Sequence, residues 1–188
     1  EDDFYSLDYL KEIIYHIKEK FPDVAITLSL GERDFQDFEA LKNMGADRYL
    51  LRHETYSKSH YQRIHPSSMK FENRIDSILK LKNLGFQTGC GMMVGSPYQR
   101  LENLYEDLKF ILKLRPQMVG IGPFIPQHDT PFRDFEGGKL EDVLKILSIV
   151  RIADEKLLLP STTALGSIDD FGREKGILAG TNVLMPNV

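Results

Sequence analysis

Short apolar runs alternate along this chain with stretches whose apolar side chains recur every three or four positions. Val24-Ala25-Ile26-Thr27-Leu28-Ser29-Leu30 is the first run and reads as a strand ended by Gly31-Glu32. Arg48 to Leu51, Gln87 to Val94, Gln117 to Gly122, Leu157 to Thr163 and Thr181 to Met185 read as five more. Between them the spacing is helical. Tyr5 to Lys20 carries Leu7, Leu10, Ile13, Ile14 and Ile17 on one side. Phe35 to Met44 stops at Gly45, and Phe71 to Leu84 stops at Gly85, both suited to a helix C-terminus. Leu101 to Leu114 ends before Arg115-Pro116, Leu140 to Ala153 follows, and Ile168 to Leu178 is closed by Gly180.

Regular alternation of strand and helix with short links implies a parallel sheet with right-handed crossovers. A doubly wound sheet and part of a (βα)8 barrel both fit. Polar or turn-forming residues stand at nearly every strand end: Ser29-Leu30-Gly31-Glu32, Arg52-His53-Glu54, Gly95-Ser96-Pro97, Pro123, Thr162-Thr163 and Asn187. A barrel collects its site from all of its βα loops, whereas a doubly wound sheet uses one switch point. The expected class is therefore α/β, a partial (βα)8 TIM barrel of about six parallel strands with outer helices, with residues 1–188 as a single domain. Eight strands close a barrel, so two N-terminal βα units are expected to lie outside this sequence, and something must cover the open parallel edges.

The densest chemistry is Arg52-His53-Glu54-Thr55, directly after Tyr49-Leu50-Leu51. In an extended segment Arg52 and Glu54 point one way and His53 the other. A guanidinium beside a carboxylate suits a zwitterionic ligand. It equally suits an ion pair that shapes the loop.

Composition narrows the partners. Hydrophobic residues make up 41% and charged ones 28%, which excludes a disordered chain. The formal net charge is −4 without a Lys/Arg block, so neither nucleic acid nor an anionic membrane surface is expected as a partner. No apolar stretch approaches the roughly 20 residues of a spanning helix. The start, Glu1-Asp2-Asp3-Phe4, carries no signal peptide and no initiator methionine. Cys90 is the single cysteine, which leaves no disulfide within the chain and no cysteine metal site. A reducing, cytoplasmic location is expected.

Other motifs carry less. Gly89-Cys90-Gly91-Met92-Met93-Val94-Gly95 places its glycines inside a strand, unlike a dinucleotide-binding turn. Those glycines let a ligand approach the backbone closely. Gly95-Ser96-Pro97 precedes a helix and can offer amide N–H groups. The five histidines form no metal set: His16 reads as a surface residue, His60 and His65 as members of a polar linker, and His128-Asp129 as a turn. Cys90 reads as a small strand residue and Met92-Met93 as core. Thr162-Thr163 can donate hydroxyls to a carboxylate or cap the loop. Arg74 stands early in a helix, where the macrodipole favours acids, so it is set for a ligand or an ion pair, with Glu72 as a local partner.

Taken together, several strings resemble the radical S-adenosylmethionine enzymes. They are Arg52-His53-Glu54-Thr55, Thr27-Leu28-Ser29-Leu30-Gly31-Glu32, Ala46-Asp47-Arg48-Tyr49-Leu50-Leu51 and Phe71-Glu72-Asn73-Arg74. Met93-Val94-Gly95-Ser96-Pro97, Gly120-Ile121-Gly122-Pro123-Phe124-Ile125-Pro126, Pro160-Ser161-Thr162-Thr163-Ala164-Leu165-Gly166 and Asn182-Val183-Leu184-Met185-Pro186-Asn187 continue the likeness. Within that family the chain is similar to the HydE group of FeFe-hydrogenase maturases, with biotin synthase and methylornithine synthase as kin.

The resemblance implies a role in assembling the hydrogenase active-site cluster. It also implies a 4Fe-4S cluster whose C-x-x-x-C-x-x-C ligands lie upstream of Glu1. S-adenosylmethionine, cleaved to a 5′-deoxyadenosyl radical, is the implied cofactor, bound by Glu54, Arg74, Thr27, Ser29, Met93, Val94 and Ile121. A small-molecule or organometallic substrate would meet Arg52, His53, Thr162, Thr163 and Met185, and other maturation proteins are implied partners. No catalytic residue and no metal ligand is assigned within the chain, which by itself is expected to be inactive. A biotin synthase-like or methylornithine synthase-like enzyme, and a non-catalytic ligand-binding barrel fragment, are the alternatives.

Overall fold

The computed structural model describes residues 5–185. Asn187, expected at a strand end, lies outside them. The chain opens with α1 (Leu7–Lys20), whose Ser6 hydroxyl accepts the Tyr9 N–H at 3.3 Å and which buries Leu10 and Ile14. Then follow β1 (Thr27–Leu28), α2 (Phe35–Asn43), β2 (Arg48–Leu50), α3 (Lys58–Ile64), α4 (Phe71–Asn83), β3 (Gln87–Val94), α5 (Leu101–Leu114) and β4 (Met118–Pro123). The series ends with α6 (Leu140–Ala153), β5 (Pro160–Ser161), α7 (Thr163–Ile168), α8 (Gly172–Leu178) and β6 (Val183–Leu184).

The strands run parallel in the order β1-β2-β3-β4 and β5-β6. Val119 N–H donates to Leu158 O and Leu158 N–H to Gln117 O, both at 3.0 Å, and these bonds carry the pairing from β4 to β5. The result is a six-stranded arc of a (βα)8 barrel, as the alternation predicts. Its helix-facing side is the core, where Tyr49, Leu51, Cys90, Met92, Val94, Val119 and Ile121 meet Phe38, Leu41, Ile78, Leu81, Phe110 and Leu147. The opposite side of β3 and β4 carries Gly89, Gly91, Gly120 and Gly122. Gly91 has no alternative there, because a Cβ would lie 2.2 Å from Gly120 O and 2.9 Å from Arg52 Cγ.

Several elements differ from the sequence pattern, among them the strands expected at 157–163 and 181–185, of which only Pro160–Ser161 and Val183–Leu184 form. The expected strand 24–30 shrinks to β1, because the Ile26 N–H is taken by the Asp47 carboxylate at 2.8 Å and Gly31 turns the chain at φ 80°. The polar linker contains a helix, α3, seated by its buried His60 and Tyr61. The helix expected at 168–178 begins only at Gly172, as α8, and a separate short helix, α7, precedes it from Thr163. Asp169 is extended at the end of α7, and its carboxylate accepts Phe171 N–H at 2.9 Å and the Lys175 ammonium at 2.7 Å. Gly172 then lets α8 cross against Leu165 O, which a Cβ would approach to 2.0 Å.

Candidate functional site

The segment after β2 stays against β3. Leu51 N–H donates to Gly89 O and Glu54 N–H to Gly91 O, both at 3.0 Å, and Met93 N–H donates to Glu54 O at 3.3 Å. Glu54 has φ 63°, left-handed for a residue with a Cβ. Arg52 leans across Gly91 and donates from Nη2 to Met92 O at 2.9 Å. The same nitrogen stands 3.2 Å from Glu54 Oε2, close enough for charge attraction but out of line for a hydrogen bond. Arg52 Nε and Glu54 Oε2 are thus buried polar atoms without hydrogen-bond partners. One donor and one acceptor of opposite charge face the glycine wall, an arrangement that can take a carboxylate and an ammonium.

Arg74 lies beneath them, 1% exposed. Its Nε donates to Glu32 Oε1 at 2.6 Å and its Nη1 to Arg52 O at 3.1 Å. Its partner is therefore Glu32 rather than Glu72, which pairs with Lys58 instead. The missed Glu32 could have been found from the sequence as the acid immediately after the first strand's closing glycine.

Thr162 precedes α7 with a buried Oγ1 that has no hydrogen-bond partner, 3.3 Å from where a Cβ on Gly122 would stand. Thr163 opens α7. Met185 is bonded through its N–H to Ser161 O at 3.2 Å and is partly exposed. Arg52, Thr162, Thr163 and Met185 all lie at the C-terminal ends of their strands. Ser29 and Thr27 share the face of Arg52, since Thr27 registers with Arg48. Thr27 sits four residues lower, roughly 13 Å down the strand direction, and is not brought to the mouth. Met93 is half-buried beside Glu54, with its carbonyl bonded to Gln99 Nε2 at 2.8 Å. Val94 and Ile121 turn their side chains into the helix-side core and have only backbone to present.

His53 does not join the Arg52 group. Strand alternation sends it into the opposite layer, where it is fully buried. Its Nε2 stands 3.3 Å from Asp107 Oδ1 and its ring is edge-on to Phe110. The sequence reading missed Asp107, although an acid amid the apolar stripe of Leu104, Phe110, Ile111 and Leu114 is a visible signal. His60 is likewise buried, contrary to its reading as a solvated linker residue. Its Nδ1 is 3.1 Å from Thr55 Oγ1 and its Nε2 is 2.9 Å from Pro97 O, which ties α3 to the loop after β3. His65 stacks on Tyr61, and His128 is exposed beside Asp129. Among the described residues no group of three His, Cys, Asp or Glu side chains is gathered for a metal, and no helix is long and apolar enough to cross a membrane.

A parallel barrel arc with its charged residues at the strand C-termini defines a protein of the TIM-barrel enzyme class. The chain belongs to the Radical SAM superfamily, which matches residues 2–111. It is similar, at 44% identity over 187 residues, to the FeFe hydrogenase maturase subunit HydE of Thermotoga maritima, covering 100% of this chain and 53% of that one. It is 28% identical over 164 residues to a biotin synthase of Corynebacterium jeikeium, covering 87% of this chain and 45% of that one. The crystal structure of methylornithine synthase superposes with a TM-score of 0.83 at 26% identity, over 94% of this chain and 51% of that chain. The chain spans about half the length of the curated relatives it matches.

Radical SAM enzymes use S-adenosylmethionine and a 4Fe-4S cluster. A polar portion of the former suits the orphaned Glu54 Oε2, which leaves Arg52 Nε for a second, anionic group. The cluster does not suit this chain's donors. Its irons need several thiolates, whereas Cys90 is the chain's one cysteine, and burial pushes its thiol far up, with a smaller contribution from the Asp107 charge.

Proposed function

We propose that this chain supplies the S-adenosylmethionine and substrate half-site of a radical enzyme acting in assembly of the FeFe-hydrogenase active-site cluster, with residues 1–188 working as one domain. The observation that carries the reading is the opposed pair at the mouth, Arg52 Nε and Glu54 Oε2, each buried and each without a hydrogen-bond partner. The 44% identity to a hydrogenase maturase supports it.

In this reading Glu54 accepts hydrogen bonds from the amino-acid and ribose portions of S-adenosylmethionine. Ser29 lines the same wall while Thr27 lies too far down the strand to join it, and Met93 borders the adenosine with the backbone of Val94 and Ile121. Arg74 acts by fixing the Arg52 carbonyl. Arg52 holds an anionic group of the substrate, a small molecule or an organometallic species, with the Thr162 and Thr163 hydroxyls and Met185 on the far side of the glycine wall. S-adenosylmethionine, once bound, would supply the carbon-radical chemistry of the reaction. The residues of this chain orient the two ligands and keep water from them. Other maturation proteins are the proposed partners and the cytoplasm is the proposed location.

The test is anaerobic reconstitution of the full-length protein with iron and sulfide, followed by assay of 5′-deoxyadenosine. A second reading, a biotin synthase-like or methylornithine synthase-like enzyme, draws support from the superposition at TM-score 0.83. Rescue of hydrogenase activity in a host lacking its own maturase separates them: rescue supports the first reading, and failure with retained 5′-deoxyadenosine formation supports the second.

A further inference from the structure

Glu54 holds a left-handed conformation that a side-chain-bearing residue adopts only when its surroundings impose it. Its own N–H and carbonyl are held by Gly91 O and Met93 N–H, and two buried polar residues outside the mouth bond to backbone nearby. Gly91 N–H donates to His53 Nδ1 at 3.3 Å. That nitrogen is therefore the acceptor, the ring proton sits on Nε2, and Nε2 faces Asp107 Oδ1 at 3.3 Å. The same carboxylate oxygen accepts Tyr56 N–H at 2.5 Å. Thr55 N–H closes back on His53 O at 2.8 Å. Phe110 covers the assembly, edge-on to the His53 ring at 4.9 Å and stacked on Tyr56 at 4.2 Å.

Residues 53, 55 and 56 are thus clamped on both sides of Glu54, from β3 through His53 and from α5 through Asp107. His53 and Asp107 are both fully buried, with the His53 ring packed on the helix side against Phe110. A buried acid and imidazole carry a desolvation cost that a pair of leucines would not. Their hydrogen bonds go to Gly91 N–H on β3 and to Tyr56 N–H, two residues beyond Glu54.

We propose that His53 and Asp107 are a positioning pair that presents the Glu54 carboxylate to the ligand. The proposal rests on the reading of Glu54 as a residue that binds S-adenosylmethionine. Its consequence is that ligand affinity depends on two side chains that touch no ligand, since an ångström of misplacement at a binding group costs far more than its loss of stability implies.

The experiment uses the full-length reconstituted protein. Binding of S-adenosylmethionine is measured by calorimetry without reductant, and KM and kcat for 5′-deoxyadenosine formation are measured with it. His53→Phe keeps the ring and removes both nitrogens. Asp107→Asn keeps an acceptor for Tyr56 N–H and removes the charge. Both are expected to raise the dissociation constant and KM about tenfold or more for His53→Phe and by about threefold for Asp107→Asn, with kcat at saturation changed less.

Leu147→Ala, on the core face of α6, is the control. It lowers the melting temperature while leaving the dissociation constant at the wild-type value. Wild-type affinity in folded His53→Phe and Asp107→Asn overturns the proposal, as does an equal loss of affinity in Leu147→Ala. If His53→Phe does not fold, Asp107→Asn decides alone. Wild-type protein that does not bind S-adenosylmethionine contradicts the proposed function itself rather than the role of the pair.

Discussion

Arg74 Nε and Glu32 Oε1 stand 2.6 Å apart and join α4 to the end of β1. The guanidinium is almost wholly buried, whereas a quarter of the Glu32 side chain is exposed. From the same guanidinium Nη1 bonds to Arg52 O, so this pair sets the height of the site floor.

Glu32→Gln is expected to destabilise the fold by about 1–3 kcal/mol, because it leaves a buried cation without its carboxylate. The midpoint of urea unfolding measures it. An unchanged midpoint would show that the guanidinium is held by its other bonds alone.

Gly91→Ala places a methyl group 2.2 Å from a backbone oxygen that cannot swing aside. A loss of about 2 kcal/mol or more is expected from the forced separation of β3 and β4. Thermal unfolding reads it, and loss of ligand binding should accompany it, because Arg52 Cγ lies against the same position.

Glu54→Gly separates stability from function. Glycine adopts φ 63° without strain, so relief of the backbone is worth about 1 kcal/mol. The variant should melt no lower than the wild type and fail to bind S-adenosylmethionine. A strong drop in melting temperature would mean that the Arg52–Glu54 attraction, rather than the clamp around it, holds the loop.

Asp47 ties α1 to the start of β1. Burial raises its carboxyl pKa, but the hydrogen bonds from Lys18 Nζ and Ile26 N–H outweigh that and hold it below its ordinary 3.8. A carboxylate with a depressed folded pKa contributes stability that is complete above 3.8 and disappears as pH falls through the lower folded value. Asp47→Asn should flatten the acid limb of the stability curve in that window and leave its shape near neutrality unchanged. Melting temperature against pH measures both.

The helices and the parallel strand order were legible because their apolar spacing is long and regular, as in Leu101–Leu114 and Leu140–Ala153. The short strands were not, because their ends are fixed by side chains from afar: Asp47 consumes the Ile26 N–H, and Tyr49 OH donates to Gly31 O at 2.9 Å. Alternation predicted that Arg52 and Glu54 share a face and that His53 does not. It could not say what His53 meets, since Asp107 is 54 positions away in sequence. Arg74 was singled out by its conflict with the helix dipole, but its partner lay on another strand. His60 looked solvated because its neighbours in sequence are polar, whereas its partners Thr55 and Pro97 belong to two different loops.

The central claim is that Glu54 and its surroundings bind S-adenosylmethionine for radical cleavage. Production of 5′-deoxyadenosine by the anaerobically reconstituted full-length protein, wild type against Glu54→Gln, tests it most directly. The account predicts turnover in the wild type and a rise in KM of about tenfold or more when the Glu54 charge is removed. No 5′-deoxyadenosine from the wild type, or an unchanged KM in Glu54→Gln, would contradict it.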